Sequence, residues 1–452
     1  MLGNNMKVIA TIVKVAGRAL ERAGIQSDGF VLPAWQLGTT TLPTTDNLII
    51  LGFGQSLVTG SEGFPPLTTK PVASNVFQPG VSFGGGFAET EWRPEGENQP
   101  LTATVRERRL DETGEDMRDG ESPLHALGYG AGPLAKEHQI IVVAHAAMGG
   151  RSLSQLSAKD GLYRRYEDAL RHLRSAASEG DRTAAVLALL WIQGDSYWSS
   201  HTDHLTTHLS SLRRLWSHMR RDVRATFKQA DPTLLTFQFS GPAVWNRDRF
   251  GRSTLPLPMA QLAAARAESS VCLVGPYYNA RDKARPGAPS HLSAEGYRTL
   301  GEYAAKALRR QVSLGTRWRP LEPVAFDALG SEIRVRYHVP NPPLRLEPVY
   351  VGDTLALVQD YGFRVTDRRG ECEIVKVEVI SRDTISIDLA RKPIGRATVW
   401  YGDDKRRGAG NVCDSDEAIG HLSGERLPNW SVIGRWKVDR PVRASWPIGV
   451  DA

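Results

Sequence analysis

The chain has only three cysteines in 452 residues, Cys272, Cys372 and Cys413. They are too few and too widely spaced for a disulfide framework or a zinc site. Cys272 sits in an apolar run and reads as a small buried side chain rather than a nucleophile. No apolar stretch reaches the roughly 20 residues of a membrane-spanning helix, so no membrane span is expected. A P-loop is also missing, and no stretch interleaves basic with aromatic residues, which argues against nucleic acid as a partner. Charge is nearly balanced, with 56 Lys and Arg against 50 Asp and Glu. The resulting +6 is scattered along the chain and suits an anionic polysaccharide as well as any other polyanion.

What is present is the composition of folded domains, 41% apolar and 23% charged, in a chain long enough for one large core and a second, smaller one. The first 46 residues carry an apolar stretch interrupted by Lys7 and Lys14, without a clear cleavage pattern. An amphipathic helix over about residues 7–23 is therefore preferred to a signal peptide, as a docking or linker segment. The compartment stays open between secreted, virion-associated and cytoplasmic.

From 47 to 310 apolar strand-like runs at 47–53, 139–146, 185–192, 233–240 and 270–276 alternate with helical patterns near 161–178, 202–222, 257–268 and 293–309. This alternation predicts an α/β domain in three layers, a parallel sheet covered on both faces. One connection, 63–138, is far longer than such units need and reads equally as a functional cover or a surface insertion. From 311 to 452 the pattern changes to short β-branched segments separated by turns, at 333–339, 354–360, 372–380, 384–389 and 396–402. These predict a C-terminal antiparallel β domain, sandwich-like and accessory.

Candidate chemistry gathers at the ends of the predicted strands, where open parallel sheets place their sites. The first strand runs into Gly54-Gln55-Ser56, a serine after a turn that glycine permits. Alone, it would more often be a helix cap. The second ends in Gly149-Gly150-Arg151-Ser152, whose glycine N–H groups suit an oxyanion and whose Ser152 can cap the next helix. The third ends in Trp191-Ile192-Gln193-Gly194-Asp195-Ser196-Tyr197-Trp198. Gln193 offers an amide donor there, Asp195 a carboxylate to orient a base, and the aromatics flat surface for a sugar ring, although core packing explains at least one of them equally well. His291 lies in the loop before a helix opened by Ser293 and packed through Tyr297, Leu300 and Ala304, where it can act as a general base.

The four pieces, in this order over about residues 47–309, resemble the blocks of the SGNH hydrolase superfamily, whose fold is flavodoxin-like, and most closely its sialate O-acetylesterase and carbohydrate acetylesterase branch. The resemblance implies Ser56 as nucleophile and His291 as base. It implies an oxyanion hole from Ser56 N–H, Gly150 N–H and the Gln193 amide, and neither metal nor organic cofactor. Gln55, Arg151, Trp191, Tyr197 and Trp198 are the candidate substrate contacts, and an O-acetylated carbohydrate the expected partner. Many relatives carry Asp three residues before the histidine; this chain has Ala288. Asp195 is the preferred substitute, Asp282 a weaker one, and a Ser-His dyad helped by a backbone carbonyl is a third arrangement. Gly410 to Asp416 resembles a worn closing motif of that branch.

Two other functions compete with the esterase: a carbohydrate- or receptor-binding structural protein of a phage tail or virion-like particle, and a general lipase-like esterase. His201, His204 and His208 fall near one helical face but lack the glutamate of a zincin motif, so no metal is assigned. Asn429-Trp430-Ser431 is a glycosylation sequon in form only.

Overall fold

The computed structural model describes residues 42–438 apart from 81–83, 85–90, 95, 104–107, 111–115, 119, 158–160, 195–204, 241–254, 281–290 and 352–353. The expected helix at 7–23 lies outside these residues. The expected strands form: β1 (Asn47–Gly54), β3 (Ile140–His145), β4 (Ala184–Ile192), β5 (Thr233–Gln238) and β6 (Val271–Pro276). They lie parallel in the order β3-β1-β4-β5-β6. Their near-continuous apolar sequences follow from burial on both faces, and every residue of β1 and β4 is buried.

The long first connection is more than a loop. It contributes β2 (Val76–Gln78), which extends the sheet beside β3, and a further edge strand, Gln99–Pro100, antiparallel to β2. It also supplies α2 (Pro123–Ala131), a helix whose nine residues are all buried. Helices α3 (Leu162–Glu179), α4 (Leu205–Phe227), α5 (Pro256–Ala267) and finally α6 (Ala294–Leu314) occupy the segments read as helical. The last begins at the expected cap, the Gly296 N–H donating to Ser293 Oγ at 3.2 Å, and Tyr297, Leu300 and Ala304 are buried as anticipated.

The chain beyond Leu314 is mostly antiparallel β. Two four-stranded sheets dominate: Glu322–Leu329, Glu332–His338, Thr384–Leu389 and Ile374–Val379 in one; Gly370–Cys372, Phe363–Asp367, Ala397–Tyr401 and Gly434–Val438 in the other. Alternation is plain along Glu332–His338, where Ile333, Val335 and Tyr337 are buried and the residues between them are not. Phe326 of one sheet stacks on Trp436 of the other, ring centroids 5.5 Å apart.

A buried polar seam joins this β region to α6. Lys306, 2% exposed, donates to Asp416 Oδ2 at 3.2 Å, Leu427 O at 2.5 Å and Asn429 Oδ1 at 2.7 Å. Burial pushes its ammonium down to about 8, and the Asp416 carboxylate opposes that shift. Asp416 also receives Arg310 at 2.8 Å, while Asp414 accepts from both the backbone and the side-chain amide of Asn429. The segment read as a closing motif therefore packs against the α/β domain. Its neighbour Asn429, the sequon residue, is buried with its amide engaged and is no glycan acceptor in the folded chain.

All three cysteines are free and buried. Of the histidine row only His208 is among the described residues. It is buried, and desolvation lowers its imidazole to about 4. No helix among the described residues is long and apolar enough to cross a membrane.

Candidate active site

The order of the sheet fixes where chemistry can occur. The chain leaves β1 toward β3 on one side and later returns to β4 on the other, so the connections diverge at β1, the kind of point beyond whose carboxyl end open parallel sheets hold their ligands. Ser56 stands at that point, the first residue of a one-turn helix, Ser56–Thr59. Gly54 makes the turn possible: its φ is +143°, and a Cβ there would come within 2.2 Å of Ile192 O.

Backbone bonds stitch the ends of three strands together. Met148 N–H donates to Gly54 O at 3.0 Å and Gln55 N–H to Ile192 O at 3.1 Å. The buried Gln55 side chain accepts from Gly194 N–H at 3.4 Å, so this residue braces the third block. Gln261 completes the clamp from the helix Pro256–Ala267, accepting from Phe239 N–H at 2.6 Å and donating to Gln193 O at 3.1 Å.

Gln193 itself is 3% exposed, and among the described residues neither its Oε1 nor its Nε2 has a hydrogen-bond partner. A buried primary amide left unpaired costs stability, and such groups gather where a ligand supplies the missing partner. Gly150 turns with φ +67°, and a Cβ there would meet nothing within 4 Å, so its peptide borders open space. Ser152 caps the short helix Leu153–Ser157 as expected, its Oγ accepting from Gln155 N–H at 3.4 Å while its own N–H donates to Gln155 Oε1 at 2.9 Å. Arg151 is half-buried at the same edge.

His291 comes to this edge from the loop before α6. Tyr297 OH, one turn into that helix, donates to Ser61 O at 2.8 Å and so fastens α6 to the segment that follows Ser56. His291 Nδ1 lies 3.3 Å from Glu62 Oε1, a carboxylate the sequence reading did not consider. Asp195, Tyr197, Trp198, Asp282 and Ala288 are outside the described residues. Trp191 is a correction to the substrate contacts expected from sequence. It is wholly buried in β4, its ring centroid 5.6 Å from that of Phe53, and belongs to the core.

The described residues thus hold a serine at the strand-to-helix turn after β1, an open glycine turn after β3, a buried amide at the end of β4 and a histidine beside a carboxylate before α6. Residues 49–310 match the family described as carbohydrate esterase, sialic acid-specific acetylesterase. The chain belongs to this family.

This carbohydrate esterase is similar in structure to a novel carbohydrate acetylesterase from Xanthomonas citri, at 14% identity over 86% of this chain and 80% of the other, with a TM-score of 0.54. A protein from Arabidopsis thaliana is 18% identical over 59% of this chain and 98% of its own, with a TM-score of 0.40. The acetylesterase Est24 from Sinorhizobium meliloti gives 12% over 58% and 98%, with a TM-score of 0.30. Among curated proteins, none matches the chain by sequence.

Proposed function

We propose that this esterase removes O-acetyl groups from a polysaccharide by way of an acetyl-enzyme on Ser56. The observation that carries the reading is the buried Gln193 amide, without a hydrogen-bond partner among the described residues, at the end of the strand beside the one that leads into Ser56. A ground-state fold gains nothing from such a donor. An oxyanion that forms only during reaction gives it a partner, which is how differential stabilisation of a transition state arises.

His291 takes the proton of Ser56 Oγ as that oxygen bonds to the acetyl carbon. The carbonyl oxygen gains the electron pair and is held by the N–H groups of Ser56 and Gly150 and by Gln193 Nε2. Collapse breaks the carbon–sugar oxygen bond, and His291 returns the proton to the departing sugar hydroxyl. Water then attacks the acetyl carbon while His291 takes one of its protons. Acetate leaves when the bond to Ser56 breaks and His291 reprotonates Oγ.

Acetate release from O-acetylated polysaccharides, measured beside hydrolysis of p-nitrophenyl esters of rising chain length, tests the reading. Turnover should be highest for acetyl and fall steeply with longer chains. A preference for long acyl chains and silence on every acetylated glycan would identify a lipase-like esterase instead. Gln193→Ala should lower kcat by about 10²–10³-fold with little change in KM, as loss of one oxyanion donor does. An unchanged kcat would remove Gln193 from the machinery.

A further inference from the structure

We infer that Glu62 is the carboxylate that positions His291, so that the orienting acid comes from the loop after the nucleophile and not from the stretch before the histidine. The inference rests on the assignment of Ser56 and His291 above. Its first support is position: Glu62 Oε1 is 3.3 Å from His291 Nδ1, with the two side chains only 9% and 15% exposed. A carboxylate at Nδ1 leaves Nε2 free to face the serine and stabilises the imidazolium that forms when the proton moves. Contacts of this kind in a ligand-free site are commonly long and tighten on binding.

The second support is the backbone. Glu62 has φ +64°, a conformation an L-residue with a long side chain adopts at a cost. The turn around it is fastened on every side. Gly60 and Ser61 N–H both donate to Ser56 O, at 3.0 and 3.2 Å. Gly63 N–H donates to Gly60 O at 2.9 Å, and Glu121 N–H to Gly63 O at 2.7 Å. Tyr297 holds Ser61 from α6. The turn is thus bonded on one side to the nucleophile's residue and on the other to the helix that follows His291, which fixes the carboxylate relative to both. A position that needs only a turn would more readily hold glycine or asparagine.

Among the described residues, the other buried carboxylate of this connection is committed elsewhere. Glu121 accepts from Leu67 and Thr68 N–H at 3.0 and 2.8 Å and pairs with Arg298 at 3.5 Å.

The test is a double-mutant cycle on the full chain with phenyl acetate as probe. Glu62→Gln keeps the shape and removes the charge. Glu62→Asn also removes it, with a residue that tolerates positive φ, so a loss shared by both is not a folding defect. Each should lower kcat by about 10²–10⁴-fold with KM within about threefold of the parent and the unfolding midpoint retained. In a His291→Ala background neither should lower the residual rate further, because Glu62 acts only through that ring. Parental kcat in both variants, or their full loss repeated without His291, would overturn the inference. Ser56→Ala, run alongside, separates the cases: a silent Ser56→Ala with an active Glu62→Gln rejects Glu62 alone, while an active Ser56→Ala rejects the nucleophile itself.

Discussion

Ser56→Ala should lower acetate release by at least about four orders of magnitude while leaving the unfolding midpoint within a degree or two of the parent, since removing a nucleophile abolishes the covalent route and leaves only binding and oxyanion stabilisation. The expectation is sharp because Ser56 contributes chemistry and almost no packing. Gly60 and Ser61 bond to its carbonyl oxygen, not to its side chain, so the turn survives truncation. The neighbouring Gln55 behaves oppositely. Its buried side chain receives Gly194 N–H, and a change there would disturb the third strand end as well as the rate. Comparing circular dichroism, midpoint and kcat of the Ser56→Ala protein with the parent checks both halves of the statement.

The second large effect concerns stability. Lys306→Met should cost about 3–5 kcal/mol, because the aliphatic chain is replaced but Leu427 O, Asn429 Oδ1 and part of Asp416 lose their cation in a site closed to water. Arg310 still reaches Asp416, which keeps the loss from being larger. The ammonium also lies 4.9 Å over the Tyr303 ring, whose hydroxyl donates to Pro428 O at 2.8 Å, so the same helix face grips the β region twice. Urea unfolding followed by tryptophan fluorescence should show an early transition in this variant, with esterase activity at low denaturant retained. A midpoint equal to the parent's would mean that the Lys306 cation adds nothing to the junction beyond its other contacts.

The α/β core was legible from sequence because strands buried on both faces must be apolar throughout, and amphipathic helices must separate them. The strands of residues 47–54 and 184–192 announce themselves in this way. The first connection was not legible for the complementary reason. Its two sheet strands have only three and two residues, and the helix Pro123–Ala131 is buried all round, so it shows no polar face and carries glycine at positions 128 and 130. That connection appeared as an oversized loop when it was also building the sheet.

The same contrast governs the site. Ser56, Gly150, Gln193 and His291 each follow or border an element whose end could be read, and family blocks tied them together. Glu62 escaped because an orienting acid was sought beside the histidine or on the third block. Its contact with His291 is made only when the chain folds back through α6, and no local pattern signals it. Trp191 differs from the expectation because an aromatic near a strand end looks alike in sequence whether it points to the cleft or the core. Packing on Phe53 decides the matter, and only the fold supplies Phe53.

The central claim is covalent catalysis at Ser56, and the measurement closest to it is the intact mass of the enzyme acid-quenched during turnover of an activated acetyl ester, followed by peptide mapping. One added acetyl group on the peptide holding Ser56, absent from the Ser56→Ala protein and accumulating when the second step is slow, is the result expected. Full turnover by Ser56→Ala, or acetyl trapped on a different side chain whose removal stops the reaction, would contradict it.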